Sequence, residues 1–133
     1  MSTATSNLRR ALFRALGADP DLTTAIGSER IFDRVPERVR PPYIVLGRST
    51  VSDWSTATDE GEAIVFFIHV WSLSDARQEC EDIQDHVRRV LASAPTLEQG
   101  NLVALRFQLA ETRRDRPSGY VHGVLRFRAV IET

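Results

Sequence analysis

Three histidines, one cysteine and a run of acids are the side chains here best suited to catalysis or metal binding. His69, His86 and His122 lie too far apart in sequence to form a helical metal pair, which needs ligands three or four residues apart. His69 sits in the middle of an apolar segment, where a hydrogen-bonded sheet histidine is the ordinary occupant. His86 stands beside Asp82 and Arg89 on a solvated helix face, and His122 opens the last strand, placed to face an interface. Cys80 falls on an apolar helical stripe with no activating neighbour, which describes a buried, inert thiol. Glu79, Glu81, Asp82 and Asp85 read as a solvated face with i,i+4 partners such as Asp85–Arg89. No glycine-rich phosphate cradle and no Gly-x-Ser-x-Gly elbow occurs. The residues therefore point to a protein with no catalytic residue, no metal and no cofactor.

Two patterns of charge stand out instead. Arg113-Arg114-Asp115-Arg116 marks the tip of a C-terminal hairpin, and an Arg cluster with one acid is common at protein–protein contacts. Within that hairpin, Arg106 and Gln108 alternate with Leu105, Phe107 and Leu109, while Arg126 and Arg128 alternate with Leu125, Phe127 and Ala129. Pairing the two strands lines one face with Arg106, Arg126 and Arg128. Like charges that close repel, so the face needs acids of this chain or a neighbour, or else the phosphates of DNA. Arg48, Asp53 and Trp54 form a second candidate contact region, in which Trp54 either anchors an interface or folds back onto its own sheet.

The elements that must position these residues follow from periodicity. The chain has 133 residues, enough for one domain spanning 1–133 with residues 1–6 frayed. Leu8, Leu12, Ala15 and Leu16 predict a helix over Asn7–Leu16. Asp19-Pro20-Asp21 then caps and opens a second helix that ends at Ile26 before Gly27. Arg30–Asp33 is a short extended piece, Tyr43–Leu46 a strand, and Ser49–Gly61 a long loop or projecting hairpin. Glu62–Leu73 is apolar on both faces, as a central strand is. Ser74 caps a third helix whose stripe runs Ala76, Cys80, Ile83, Val87, Val90, Leu91 and Ala94. Leu102–Ala110 and Val121–Ile131 are strands joined by the Arg-rich linker Glu111–Gly119. The expected fold is α+β: a mostly antiparallel sheet of four or five strands with helices packed on one face.

Net charge is −1, so no global field recruits nucleic acid or an anionic membrane. All 17 basic residues are Arg, which favours planar, bidentate interface contacts over diffuse attraction. One cysteine excludes an internal disulfide. No apolar run is long enough to span a bilayer and the first residues carry no apolar signal core, so synthesis in the bacterial cytoplasm is expected.

Several segments, in order, resemble the tail completion and tail terminator proteins of siphophages and gene transfer agents, a group similar to the head–tail joining protein of phage SPP1. They are Leu8-Arg9-Arg10-Ala11-Leu12, Asp19-Pro20-Asp21-Leu22, Arg30-Ile31-Phe32-Asp33-Arg34-Val35-Pro36, Pro42-Tyr43-Ile44-Val45-Leu46-Gly47 and Asp53-Trp54-Ser55-Thr56. His69-Val70-Trp71-Ser72, Arg113-Arg114-Asp115, His122-Gly123 and Val124-Leu125-Arg126-Phe127-Arg128-Ala129 complete the series. The resemblance implies a small α/β domain, six copies of which form a ring at the head-proximal end of a tail. Such a ring stops polymerisation of the tail tube protein, docks onto the stopper protein of the head connector and lets DNA pass through its lumen without sequence-specific binding. It implies a place at the head–tail junction of a virion or gene-transfer-agent particle, with no membrane partner. The alternatives are another connector component (adaptor, stopper or minor tail protein) and, from a different class, a nucleic-acid-binding module.

Overall fold

Leu8, Leu12 and Leu16 recur every fourth residue of helix α1 (Thr3–Ala18), and that spacing turns all three into the core at 3% exposure or less. The structure, a computed structural model, describes residues 3–133. Helix α1 begins four residues before the sequence pattern suggests: residues 3–6, expected to fray, are helical because Ala4 and Thr5 are buried, while Met1 and Ser2, also expected to fray, lie outside the described residues. Helix α2 (Pro20–Ile26) starts as expected: the Asp19 carboxylate accepts the Leu22 amide at 2.9 Å, and Pro20 occupies the first turn.

Arg89 contradicts its expected partner. It donates to both Asp19 oxygens, at 3.0 and 2.7 Å, rather than to Asp85, and so ties the third helix to the start of the second. That hydrogen bond, together with the Leu22 amide, holds the Asp19 carboxyl down at about 2. Helix α3 (Arg77–Ala92) also starts later than expected. Ser74 and Asp75 form a turn closed by the Ala76 amide on the Leu73 carbonyl at 3.0 Å, so Ala76 precedes the helix with no side-chain cap. Cys80, Ile83, Val87 and Leu91 are buried along α3, as their spacing requires. Gln84 joins them, donating to the Thr112 hydroxyl at 2.8 Å.

Five strands form one mixed, mostly antiparallel sheet: β1 (Ile31–Phe32), β2 (Tyr43–Asp53), β3 (Gly61–Ser72), β4 (Asn101–Arg114) and β5 (Val121–Glu132), in the order β1-β2-β3-β5-β4. Only the two-residue β1 runs parallel to its neighbour. Segment Ser49–Gly61 proves to be a projecting hairpin, because β2 continues past a bulge between Leu46 and Ser49 and pairs with β3 as far as Asp53↔Glu62. Likewise Glu111–Arg114, expected in a linker, continue β4; the turn begins only where the Asp115 amide meets the Tyr120 carbonyl at 2.8 Å. Gly119 closes that turn at φ +77°, a left-handed conformation that favours glycine.

Alternation sorts the sheet's residues. Ile64, Phe66, Ile68 and Val70 of β3 join Leu125, Phe127, Ala129 and Ile131 of β5 in one core with residues of all three helices. Gly123 lets α3 approach: a Cβ there would stand 2.3 Å from Gln84 Nε2. The other alternating set, Val65, Phe67, His69 and Trp71 on β3, is only half-buried. Strand β3 is thus apolar on both faces but covered on one.

Candidate functional site

Register places the half-buried side of β3 beside the matching side of β5: Val65↔Arg128, Phe67↔Arg126, His69↔Val124 and Trp71↔His122. On the far side of β5, Arg106 pairs directly with Arg128. The three arginines predicted to share a face therefore do so. One residue departs from the alternation expected: a bulge between Phe107 and Leu109 shifts the register, so Leu109, expected to point away from the arginines with Leu105 and Phe107, stands opposite Arg126. None of the ion pairs among the described residues involves Arg106, Arg126 or Arg128. The face carries positive charge that this chain leaves unneutralised.

An aromatic row crosses the same face. His122 stacks on Trp71, with ring centroids 3.9 Å apart and planes at 5°, and its Nε2 lies 2.8 Å from His69 Nδ1. One nitrogen must donate and the other accept, so at least one ring of the pair is neutral. Arg48, at the β2 bulge, holds its guanidinium 4.8 Å from the Phe67 ring centre. His69 is the hydrogen-bonded sheet histidine the sequence described; its pairing with His122 could not be read from residues 53 positions apart.

The same packing fixes a pH response. Burial first, then the charges of His69 and Arg113, lowers the His122 pKa from the usual 6.5 to about 4. Burial and Arg48 lower that of His69. The unfolded chain then binds more protons than the folded one below pH 6.5, so stability is retained above that pH and falls as pH drops toward 4. Urea midpoints measured from pH 7.5 to pH 4 should show this slope, and His122→Gln should flatten it. An unchanged slope in the variant would locate the response elsewhere.

The remaining predicted residues fall into two groups at opposite ends of the sheet. Asp53 ends β2 and accepts the Ser55 hydroxyl at 2.7 Å; Trp54 follows it. The Trp54 ring lies against Gly61, where a Cβ would come within 3.0 Å of it, yet the residue stays 37% exposed. Of the two placements foreseen for it, it takes the second, packing on its own hairpin, with one edge left open to solvent. At the other end, Arg113 and Arg114 are strand residues paired with His122 and Val121, not tip residues. Asp115 and Arg116 form the turn proper, where Asp115 accepts the Ser118 amide at 3.1 Å and its hydroxyl at 2.7 Å. Arg114 donates to the Gly119 carbonyl at 3.0 Å, which braces the turn.

Cys80 is fully buried, its Sγ 3.7 Å from the Val70 carbonyl, and burial raises its pKa, so the thiol stays protonated. Among the described residues no group of three or more His, Cys, Asp or Glu could hold a metal ion. No helix among them is long and apolar enough to cross a membrane. What sequence reasoning missed is the outer edge of β4. Val103, Phe107 and Leu109 are exposed there at 45%, 37% and 53%. The alternation of Phe107 and Leu109 with Arg106 and Gln108 looked like that of a strand with one buried side, and the sheet order that leaves β4 outermost is a tertiary fact.

Comparison with known proteins gives three concordant results. Residues 10–132 match the family model for tail completion protein gp17. The curated tail completion protein gp17 of Bacillus phage SPP1 is 31% identical over 91 residues, which is 68% of this chain and 67% of that one. A chain in the solved structure of the virion of a native gene transfer agent particle superposes with a TM-score of 0.91 at 27% identity, over 100% of both chains.

Proposed function

Because this chain belongs to the tail completion protein gp17 family, we propose that it forms a hexameric ring which terminates a tail tube and joins it to the head connector. It is a structural protein of a phage or gene-transfer-agent tail, not an enzyme. The carrying observation is the full-length likeness to a chain of a gene-transfer-agent virion, an assembly of many subunits. In this reading the whole chain acts as one terminator domain at the head–tail junction. Its ring blocks further addition of tail tube protein on one side and receives the stopper protein on the other. DNA transits the lumen without base-specific contact, as expected of a chain with net charge −1 and no Lys. Arg48, Asp53, Trp54 and Arg113–Arg116 serve as contacts between subunits or to partner proteins. A closed ring requires two different surfaces of the same subunit to meet head to tail.

Particles produced without this gene, imaged by negative-stain electron microscopy, test the proposal. Tailless heads beside free tails of abnormal length are expected. Normal, joined particles would remove the junction role and return the Arg face to consideration as a nucleic-acid-binding surface, for which steep salt dependence of DNA binding is the check.

A further inference from the structure

The sheet has two open edges. Strand β4 pairs only with β5, so its outer backbone groups meet no strand. At the opposite edge β1 covers only Ile44 and Val45 of β2, which leaves the outer half of β2, Ser49–Asp53, paired on one side alone. Open edges of this kind are templates for strand addition, and isolated proteins blunt them with charge or proline. Here they carry apolar side chains instead. Among the described residues the exposed large hydrophobic ones are Val51 and Trp54, on and just past β2, and Val103, Phe107 and Leu109 on β4. All of them border the two open edges.

Register makes the edges complementary. Asp53 aligns through Glu62 and Ile131 with Leu102, and Ser49 aligns through Phe66 and Phe127 with Phe107. The open stretch of β2 and the apolar stretch of β4 therefore stand at the same height on opposite sides of one sheet. Three successive antiparallel pairings, β2·β3, β3·β5 and β5·β4, make β4 antiparallel to β2. A second copy set beside the first in the same orientation thus brings its β2 antiparallel to β4, with no shift along the strands. Such a head-to-tail contact joins two different edges of the same subunit and closes into a ring when the rotation between copies closes. Charge agrees: residues 49–62 hold Asp53, Asp59, Glu60 and Glu62 with no base, whereas residues 102–110 hold Arg106 with no acid. On the core-facing set, Val51 comes into line with Leu105, and Ser49 with Phe107, whose ring lies 3.9 Å from the Arg88 guanidinium.

We propose that β4 residues 102–109 of each subunit pair with β2 residues 49–53 of a second copy of this chain, so that the sheets run continuously round the ring. The assignment rests on the ring reading above and supplies its interface. Two variants test it: Val103→Lys/Leu109→Lys blocks the β4 edge, and Val51→Lys/Trp54→Lys blocks the β2 edge. Native mass spectrometry is read at concentrations where the unmodified chain forms its ring, with circular dichroism melts to check that each variant is folded. Each variant alone should be monomeric, a sixfold loss of mass. Mixed one to one they should form dimers and nothing larger, since only one intact edge of each kind remains. Rings formed by either variant would overturn the edge pairing while leaving the ring itself standing. Dimers of the β2-blocked variant alone would overturn it in favour of β4 pairing with β4. An unmodified chain that never exceeds a dimer, while the mixed variants still pair, would fault the ring and keep the edge contact; one that stays monomeric at every concentration counts against both. Should lysine lower the melting temperature, Thr at the same four positions gives the milder version of each block.

Discussion

Phe127→Ala should lower the stability of the folded chain by about 3–5 kcal/mol, the usual range for removing a fully enclosed aromatic ring. Phe127 is 2% exposed and sits at the middle of β5, between the strands on either side. Its ring stacks on Phe66 of β3 at 5.5 Å with planes at 10°, and meets Phe107 of β4 edge-on at 5.7 Å. Such paired rings contribute beyond their buried area, so the substitution removes two aromatic contacts as well as opening a cavity. The neighbours cannot collapse into that cavity, since β5 is held by twelve-residue pairings on both sides. For a chain of this size the loss corresponds to roughly 10–20 °C in Tm. Urea denaturation followed by circular dichroism is the measurement. A loss under about 1 kcal/mol would mean that the core between sheet and helices does not depend on this ring.

Local patterns carried much of this architecture. The Asp19-Pro20 start of α2, the Cys80-Ile83-Val87-Leu91 stripe and the strands over Tyr43–Leu46, Glu62–Leu73 and Val121–Ile131 are each set by chemistry within a few residues, and each stands where its pattern predicts. The misplacements share a cause. Arg89 had Asp85 at ideal helical spacing, yet Asp19, 70 residues away, offers a carboxylate already fixed by the Leu22 amide. Ser49–Asp53 and Glu111–Arg114 look like loop by composition, but pairing to β3 and β5 overrides weak local preference.

The candidate site divides the same way. That Arg106, Arg126 and Arg128 share a face follows from alternation alone, and they do. Which residues oppose them depends on the bulge between Phe107 and Leu109, and no residue type announces it. The Trp71–His122–His69 stack likewise needs the β3·β5 register. Interfaces are harder still to read from one sequence. Leu109 has the pattern of a strand residue turned inward, but the bulge after Phe107 sets it opposite Arg126 and β4 stands at the rim of the sheet, so it is exposed.

Arg106→Glu should move stability and assembly in opposite directions. Arg106 and Arg128 are direct cross-strand partners, and neither joins an ion pair among the described residues. Two like charges directly opposed destabilise a sheet, and an opposite pair at such a site contributes about 0.2–1 kcal/mol. The isolated subunit should therefore become slightly more stable, most visibly at low salt, where screening is weak. The repulsion is relieved if a group outside the subunit, an acid of a neighbouring protein or a phosphate of transiting DNA, meets this face. Reversal should then weaken ring formation or head–tail joining by on the order of tenfold, equivalent to about 1.4 kcal/mol at the contact. Salt-dependent melting of the subunit and the yield of joined particles give the two readings. Higher subunit stability with normal particles would make Arg106 a mere local liability. Lower stability would show that the Arg106–Arg128 pair is neutralised within the chain after all. Rescue of Arg106→Glu by Thr50→Arg, at the position that the edge register sets level with residue 106, would identify the neighbouring copy, rather than DNA, as what this face meets.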